Sequence, residues 1–441
     1  MTAPVQTSAI LTEAVAPGLA ARGISSMAQK LIASEILKIA GEIRALVAGG
    51  AEILNLTVGD FAPKEFPIPE ALARGVTAAL AAGHTNYPPS SGMEDCRQAV
   101  RALFKDRLGL DYPVSSVLIA SGARPMIAGI YYALISPGDE VVYGVPSWNN
   151  NHYCTLTGAR AIEVETTAEQ GFFPRLADLE RHLGTARLVC LNTPNNPTGT
   201  AIDAAALESL SRGIVAENVR RKAAGRAPVY LMFDQVYWML TAPGTRHVNP
   251  VSLVPEMAAY TIFVDGISKA FAATGLRVGW AVGPTDVIER MAAILTHIGA
   301  WAPRAEQVAT AQLLNDTPAV DTFLAHMNRE VFERLDILAN GVRRLAAAGH
   351  PVEAVAPAGA IYLSVRVGIA GRTTSDGKLL ATDEDIRGFL LKHAGLAVVP
   401  FQAFGVKKDS GWFRASIGAV SKRELEQGLL RLEKALASLR A

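Results

Sequence analysis

The sequence is 441 residues long, half of its residues are apolar, and 42 lysines and arginines nearly balance 41 aspartates and glutamates. A length well above roughly 150 residues predicts more than one domain, and we expect two. Since the charged residues are scattered and no apolar run is long enough to span a bilayer, the composition argues against nucleic-acid and membrane partners.

The cysteines and the N-terminus indicate the cellular setting. Three cysteines with no Cys-x-x-Cys spacing disfavour disulfides and structural zinc, so we expect a reducing, cytoplasmic location. Residues 1–25 are rich in Ala, Thr and Pro and lack the basic-then-apolar order of a secretory signal. We predict a flexible N-terminal arm there, either disordered or ordered on a partner subunit.

Between residues 115 and 285, short β-branched runs alternate with helix-length segments. The pattern predicts seven strands, at 117–121, 140–143, 161–164, 187–192, 229–234, 260–265 and 277–282. Crossover segments of this length indicate a mainly parallel sheet that is covered by helices on both faces. We therefore predict a doubly wound α/β domain, which we assign to residues 60–305.

The C-terminal third has a different pattern. A long helical stretch over about 303–348, bent or broken, leads to strands at 361–367, 396–399 and 412–417 and to a helix from Ser421. These elements predict a smaller α+β domain, which we assign to residues 26–59 and 306–441. The polar segment 368–385 predicts a surface loop or hairpin; it only superficially resembles a nucleotide-binding P-loop, because Leu379 stands where Ser or Thr must bind magnesium.

Polar features follow several of the predicted strands, at the edge of a parallel sheet where ligands bind. After the first strand, Gly122-Ala123-Arg124-Pro125 opens a helix whose free N–H groups could hold a phosphate. After the second, Trp148 could stack on a planar ring. After the fourth, residues 192–199 (Asn-Thr-Pro-Asn-Asn-Pro-Thr-Gly) form two tight turns with free side-chain amides, a run too specific for a generic loop.

Two charged residues complete this set. Asp234 ends an apolar strand, where a carboxylate needs a positive partner or hydrogen bonds. Lys269 follows the sixth strand in a segment of small residues, a setting that could lower the pKa of its amine and make it a nucleophile. Each feature alone has an ordinary explanation, since tryptophans are usually core residues and lysines usually solvated. Together they suit pyridoxal phosphate, which needs a lysine, a carboxylate, a phosphate cup and a flat neighbour.

These residues resemble the class I/II aminotransferases of fold type I, which use pyridoxal 5'-phosphate, in the branch that includes many bacterial aspartate aminotransferases. The resemblance covers about residues 25–441. It rests on Asn-Asn-Pro-Thr-Gly at 195–199, on the pair Asp234 and Tyr237, and on Ser268-Lys269 with Arg277 eight residues on. It implies a seven-stranded, mostly parallel sheet in a large domain plus a smaller α+β domain.

The resemblance also implies roles for single residues. Lys269 carries the cofactor as a Schiff base, the internal aldimine, and moves the proton in a ping-pong transfer from an L-amino acid to a 2-oxo acid. Asp234 pairs with the ring nitrogen, while Tyr237 and Asn196 bind the phenolic oxygen and lower the imine pKa. The other implied cofactor contacts are Ala123, Arg124, Trp148, Ser268, Arg277 and Tyr87, and the implied substrate contacts are Gly59, Trp148, Asn196 and Arg414.

Arg414 matches the arginine that clamps the substrate α-carboxylate, and Tyr87 matches a tyrosine that reaches the neighbouring phosphate, so we expect a homodimer with shared active sites. Gly266 departs from the pattern, since many members have a phosphate-binding serine there. No second arginine for a side-chain carboxylate stands out, which leaves a preference for aspartate open. The candidates for lining the side-chain pocket are Arg124, Asn149, Asn150, Asn151, His152 and Phe61.

Other functions remain possible on the same fold and lysine. Fold-type I proteins include β-eliminating C–S lyases, cyclopropane-forming synthases and decarboxylases, which differ in the bond at Cα that they break. A regulatory ligand-binding domain is disfavoured because no helix-turn-helix precedes the resemblance. The eight histidines form no H-x-x-x-H pair, so we predict no metal site.

Overall fold

The computed structural model describes residues 23–31 and 35–440. The predicted N-terminal arm, residues 1–25, lies outside the described residues except for its last three. No helix in the described ranges combines the length and apolar character needed to cross a bilayer.

The described segments contain fifteen α-helices and thirteen strands. The helices are α1 (Ser26–Lys30), α2 (Glu35–Ala48), α3 (Glu70–Ala81), α4 (Glu94–Leu108), α5 (Ala123–Leu134), α6 (Asn150–Thr157), α7 (Leu176–Leu183), α8 (Ala204–Ala223), α9 (Pro250–Leu253), α10 (Ile267–Ala270), α11 (Thr285–Ile298), α12 (Arg304–Asn315), α13 (Thr317–Ala347), α14 (Asp383–Ala394) and α15 (Lys422–Ala437). The strands are β1 (Leu54–Asn55), β2 (Val117–Ala120), β3 (Glu140–Val145), β4 (Arg160–Glu165), β5 (Ala186–Asn192), β6 (Tyr230–Asp234), β7 (Thr261–Gly266), β8 (Gly279–Val282), β9 (Val352–Ala354), β10 (Tyr362–Val367), β11 (Leu396–Ala397), β12 (Val399–Pro400) and β13 (Trp412–Ser416).

The seven strands β2 to β8 form one sheet in the order β2-β8-β7-β6-β5-β3-β4. The seven predicted strands are confirmed, with ends that shift by no more than two residues. The mostly parallel arrangement is confirmed as well, since only β8 runs against its neighbours. β8 reverses direction because a short turn at Thr274–Leu276, rather than a crossover helix, connects it to the end of β7 and α10.

The sheet is buried on both faces, as its β-branched strands predict. Successive residues of β2 point to opposite sides: Leu118 packs with Met126 of α5 and Met291 of α11, whereas Ile119 belongs to the core that contains Phe104 of α4 and Leu210 of α8. This alternation is the two-residue period of a pleated strand. Side chains on the sheet faces are therefore committed to packing, and polar chemistry is left to the strand ends.

A second core surrounds the four-stranded sheet β12-β13-β10-β9, with α13, α14 and α15 against it. The long helical pattern is broken, as predicted, at Asp316, whose side chain caps α13 by accepting from Ala319 N. Ser421 caps α15, which confirms the predicted start of that helix. The predicted strand at 396–399 is divided, because β11 pairs with β1 whereas β12 pairs with β13.

The structure bears on two boundaries that the sequence predicted, the domain boundary at 305 and the ends of the polar segment 368–385. Ala309 and Leu313 of α12 and Val320 of α13 pack in the core of the large sheet, beyond the assigned domain boundary at 305, which stays a prediction. In the polar segment 368–385, Thr373 pairs with Leu379 as a hairpin turn, and α14 begins before the predicted end of the loop.

Candidate active site

A cavity of about 570 Å³ lies at the carboxyl ends of β5, β6 and β7, against the second core. The sequence-predicted site residues that line it are Gly59, Ala123, Arg124, Trp148, Asn196, Asp234, Tyr237, Ser268, Lys269, Arg277 and Arg414. Its other lining residues are Asp60, Ile127, Asn192, Val236, Thr274, Gly275 and Tyr362. The strand-end positions named from the sequence thus converge on one cavity of a size typical for small ligands.

Lys269 enters the cavity from α10, which starts directly after β7. Its amine Nζ donates to the backbone oxygen of Gly59 at 2.7 Å. Burial lowers the pKa of this amine to about 8; Asp60 opposes the shift, and three arginines of the cavity add to it. About a tenth of the amine is therefore uncharged at pH 7, far more than for an ordinary lysine, as a nucleophilic lysine requires.

Asp234 is the last residue of β6 and is buried beneath the same cavity. Its carboxylate accepts from Val236 N at 3.2 Å. Burial raises the pKa of Asp234 to about 7, although the Val236 amide and the charge of Lys269 lower it in part. A carboxylate held in this state gains strongly from a cationic ligand group beside it.

An anion-binding cup lies where β2 passes into α5. The N-cap residue of this helix, Gly122, has no side chain that could bond the N–H groups of the first turn, so these groups remain available to a ligand. Arg277 lies against the same turn, with Nη1 donating to Thr274 O at 2.7 Å and Nη2 to Ser121 O at 3.0 Å. Gly122 has φ of +97°, and a Cβ there would overlap the Arg277 guanidinium. The cup therefore combines helix amides with a fixed guanidinium, a combination suited to phosphate.

The departure at Gly266 has a steric reason. A Cβ at this position would come 2.8 Å from the Cα of Gly279 and 2.8 Å from the carbonyl oxygen of Val278, because β7 and β8 approach closely there. The serine present in many family members cannot fit without moving β8. Ser268 lines the cavity, and its hydroxyl is the nearest one along the chain to position 266.

Arg414 on β13 is almost fully buried, with 1% of its surface exposed. Its guanidinium lies between two rings, 4.8 Å from the centroid of Tyr362 and 4.9 Å from that of Phe404. Nη1 donates to Asn196 Oδ1 at 3.0 Å and Nη2 to Thr57 O at 2.7 Å. Among the described residues the buried Nε has no partner. The group is held rigidly with donor capacity left over, which suits a ligand carboxylate.

Asn196 and Trp148 complete the walls. The backbone N–H of Asn196 donates to Asn192 Oδ1 at 2.7 Å, and its own Oδ1 is taken by Arg414, which leaves Nδ2 as the atom that can donate to a ligand. Trp148 is half-buried, and the Arg124 guanidinium lies 5.4 Å from its ring centroid.

The candidates for a side-chain pocket are not all brought together. Of these six candidates, Arg124 is the only one that lines the cavity among the described residues. Asn150 is buried elsewhere, where it accepts from Tyr131 and donates to Ser147, and Phe61 packs on the ring of Phe66. Asn149, Asn151 and His152 also lie outside the lining.

Tyr87 is the one predicted site residue that does not line the cavity. It is 80% exposed, and its ring lies 5.1 Å from that of Trp301. Its expected role in a neighbouring subunit stays a prediction.

Sequence reasoning missed several polar residues of the cavity, among them Asp60 and Tyr362. Asp60 accepts from Thr274 Oγ1 at 2.7 Å, and its negative charge raises the pKa of Lys269. Because Asp60 directly follows Gly59, a predicted substrate contact, the sequence could have indicated that it lies in the cavity. Tyr362 opens β10 in the other sheet, and no local motif indicates that it reaches the cavity.

Comparisons with known proteins match the chain and its fold to one family. Residues 51–432 match the family model for aminotransferase class I and II. An aspartate aminotransferase of Rhizobium meliloti (strain 1021) is 31% identical over 91% of this chain and 93% of that protein. An aspartate/prephenate aminotransferase of Thermus thermophilus is 30% identical over 94% of this chain and 99% of that protein.

Solved structures agree with the sequence matches. The crystal structure of the Rhizobium meliloti aspartate aminotransferase aligns with a TM-score of 0.85 at 30% identity, covering 94% of this chain and 99% of that one. Thermus thermophilus aspartate aminotransferase with maleate aligns with a TM-score of 0.82 at 28% identity, covering 94% and 100%. The predicted fold type I is confirmed, and the chain belongs to the class I and II aminotransferases.

Proposed function

We propose that this aminotransferase moves the amino group of an L-amino acid to a 2-oxo acid with pyridoxal 5'-phosphate bound at Lys269. The main support is the pairing of two shifted groups in one cavity, the Lys269 amine with a pKa of about 8 and the Asp234 carboxyl with a pKa of about 7. A cofactor with an aldehyde and a basic ring nitrogen needs these two groups.

The remaining walls fit the same cofactor. The first turn of α5 and the Arg277 guanidinium suit its phosphate. Trp148 supplies a flat face, and Tyr237 and the Nδ2 of Asn196 are donors for its phenolic oxygen. When bound, the cofactor supplies an aldehyde for the substrate amine and a ring that withdraws the electrons left at Cα.

Lys269, Asp234 and Arg414 have separate roles, which follow from their charge and protonation state. With the cofactor bound, the amine of Lys269 would be the base that removes the proton from the substrate Cα, since its lowered pKa leaves it partly unprotonated near neutral pH. The Asp234 carboxylate holds a proton on the ring nitrogen. Arg414, which lines the cavity, binds the substrate α-carboxylate and so fixes the Cα–H bond near Lys269.

An amino-acid panel tests this function. Purified protein loaded with pyridoxal phosphate is given each amino acid with 2-oxoglutarate, and both keto-acid products are followed. We expect glutamate to form in step with the new 2-oxo acid. Release of pyruvate and ammonia without consumption of 2-oxoglutarate would instead assign the protein to the C–S lyases.

We further propose that the substrate class includes dicarboxylic amino acids. Arg124 lines the cavity, and no carboxylate among the described residues lies within ion-pair distance of it. Relatives are named aspartate aminotransferases. An unpaired guanidinium at the cavity wall suits a second carboxylate on the substrate.

The change Arg124→Gln tests this preference. We expect kcat/KM for aspartate to fall more than kcat/KM for alanine, because only aspartate presents a side-chain carboxylate. Arg290→Gln on the exposed face of α11 is the matched control and is expected to change neither value. Equal losses for both substrates with Arg124→Gln would show that Arg124 does not read the side chain.

The homodimer with shared active sites also belongs to this proposal. Tyr87 is exposed, yet Arg304 holds its loop by donating to Asn86 Oδ1 at 2.8 Å, an arrangement suited to insertion into a second subunit. Mixing Lys269→Ala chains with Tyr87→Ala chains tests the sharing, because a hybrid dimer would regain one intact site. No recovery of activity on mixing would contradict it. The expected cytoplasmic location stays a prediction.

A further inference from the structure

We infer that Tyr362 is a positioning residue, whose hydroxyl donates to the Tyr237 oxygen and thereby directs the Tyr237 proton to an acceptor in the cavity. The inference rests on the proposed function, in which that acceptor is the phenolic oxygen of pyridoxal phosphate. It concerns a residue of the second sheet that no cavity motif in the sequence indicates.

The two hydroxyls are paired in a buried place. The Tyr237 and Tyr362 oxygens are 2.7 Å apart, and the side chains are 2% and 1% exposed. Their rings meet edge to face with centroids 5.6 Å apart. A Cβ on Gly59 would come 2.9 Å from the Tyr362 hydroxyl, so this oxygen is held closely between the backbone at residue 59 and Tyr237.

The direction of the bond follows from counting donors and acceptors, with the ligand included. Among the described residues, Tyr237 is the only hydrogen-bond partner of the Tyr362 hydroxyl. Tyr237 likewise has no other partner among the described residues, so whichever hydroxyl donates, the other proton needs an acceptor in the cavity that both residues line. In the proposed function that acceptor, the phenolic oxygen, lies at Tyr237, so Tyr362 donates the shared bond and Tyr237 keeps its own proton for the ligand. A phenol that accepts a hydrogen bond is also a stronger donor.

The consequence is measurable on the bound cofactor, apart from activity. A stronger bond from Tyr237 to the phenolic oxygen stabilises its anion and lowers the pH at which the cofactor held at Lys269 changes its absorbance. Other charged groups face Tyr237 and Lys269. Asp234 and Arg414 act on Tyr237, and those that act on Lys269 are Asp60, Arg124, Arg277 and Arg414. The change Tyr362→Phe leaves all of these in place and keeps the ring against Arg414.

The experiment is a spectroscopic pH titration of the loaded enzyme in a double-mutant cycle. We expect Tyr362→Phe to raise the apparent pKa of the cofactor absorbance by about 0.4 to 1 unit, the size of one ordinary hydrogen bond. Tyr237→Phe should raise it further, and adding Tyr362→Phe to Tyr237→Phe should give no extra shift. Tyr131→Phe, which removes an equally buried hydroxyl outside the cavity, is the matched control and should leave the titration unchanged.

The outcomes separate the inference from the proposed function. If the wild-type protein binds no cofactor that titrates, the proposed function is wrong. If the wild type and Tyr237→Phe titrate as expected but Tyr362→Phe causes no shift, or causes the same shift when Tyr237 is already replaced, the positioning role is wrong. Should Tyr362→Phe fail to fold, Tyr362→3-fluorotyrosine makes the hydroxyl a stronger donor and is expected to lower the pKa; an unchanged value would overturn the inference.

Discussion

The amino ends of the parallel strands form one edge of the large sheet, the amino edge, and their carboxyl ends form the opposite one, the carboxyl edge. Both edges bury charged side chains, but these side chains differ in how many of their hydrogen bonds are made within the protein. At the amino edge, Arg221 is 4% exposed and uses all three of its nitrogens. Nε donates to Glu217 at 2.9 Å, Nη1 to Ala227 O at 3.0 Å, and Nη2 to Leu183 O and Ala186 O, each at 2.7 Å. Every nitrogen of this arginine therefore has a partner within the protein.

At the carboxyl edge the buried charges are left incomplete. Among the described residues the Nε of Arg414 has no partner and the Asp234 carboxylate accepts a single hydrogen bond, at 3.2 Å. Both Asp234 and Lys269 have shifted pKa values. A folded protein tolerates such groups only where a ligand completes them or where stability is given up for function. The difference between the edges, rather than burial itself, therefore marks the binding site.

The largest effect is expected for Lys269→Ala. Removing the amine should lower transamination by at least about 10⁴-fold, as for other groups that carry the reaction. It should also abolish the borohydride-reducible link to the cofactor, while circular dichroism stays unchanged. Lys222→Ala, on the exposed end of α8 at the amino edge, is the control and should retain activity. A Lys269→Ala protein that still forms a stable reduced lysine adduct would place the cofactor elsewhere.

The next effect concerns the amino edge. Arg221→Met should lower the free energy of unfolding by about 3–5 kcal/mol, because it leaves the Oε1 of Glu217 and three carbonyl groups without the donor that Arg221 supplies. Denaturant unfolding of the loaded enzyme measures this, and kcat of the folded fraction should not change. Arg220→Met is the matched control: Arg220 pairs with the same Glu217 but its side chain is 71% exposed, so its loss should cost below about 1 kcal/mol.

Arg414→Met should behave in the opposite way. We expect kcat/KM to fall by roughly 30- to 1000-fold, since the substrate carboxylate loses a buried charged partner. Stability should change little, because the arginine removed was only partly paired. Steady-state kinetics and unfolding measured on the same preparations test the contrast with Arg221. If Arg414→Met destabilises the protein as much as Arg221→Met does, the difference between the edges has no functional meaning.

The sequence predicted the parts of this contrast that are local. A strand buried on both faces leaves a β-branched run, and a helix-length crossover follows it, so the sheet and its carboxyl ends could be predicted with Asp234 and Lys269 in place. Contacts across the chain could not. Tyr237 meets Tyr362 at a separation of 125 residues, and Arg414 meets Thr57 at a separation of 357. No local period encodes such distances.

Two other features could not be predicted because neighbouring strands determine them. The predicted strand at 396–399 reads as one apolar run, but its two halves pair in different sheets, and periodicity does not report a change of partner. The missing serine at Gly266 was visible in the sequence, whereas its reason, the approach of β7 to within contact of Gly279, required coordinates.

The pH dependence of cofactor capture sharpens the contrast further. Because the pKa of Lys269 is about 8, the rate at which cofactor-free protein reacts with pyridoxal phosphate should rise about tenfold per pH unit below 8 and level off above it. Stopped-flow absorbance measures this rate. Asp60→Asn should move the midpoint to lower pH, since Asp60 raises the pKa of the amine. A rate that does not vary between pH 6 and 8 would contradict the lowered pKa.

The smallest effect is expected for Asp234→Asn in the cofactor-free protein. Burial raises the pKa of Asp234 from 3.8 to about 7, so between these values the unfolded chain has released a proton that the folded chain retains. Stability of the wild type therefore falls as pH rises through this window and is flat above it. The shift sets a ceiling of about 4 kcal/mol, and since asparagine keeps polar atoms that need partners, we expect a gain of roughly 1 kcal/mol above pH 7.

Melting temperatures of the two proteins from pH 5 to 8 test that sign. The variant should gain relative to the wild type as pH rises, and the order should reverse once pyridoxal phosphate is bound, because the ring nitrogen then loses its carboxylate. Asp203→Asn is the control of opposite sign: burial alone raises the pKa of Asp203, but hydrogen bonds from Arg175 and the Ala206 amide bring it below its usual value. Its loss should therefore destabilise α8 at pH 7. A difference between Asp234→Asn and wild type that is the same at pH 5 and pH 8 would mean that Asp234 is already charged in the empty site, and the carboxyl edge would then be as well satisfied as the amino edge.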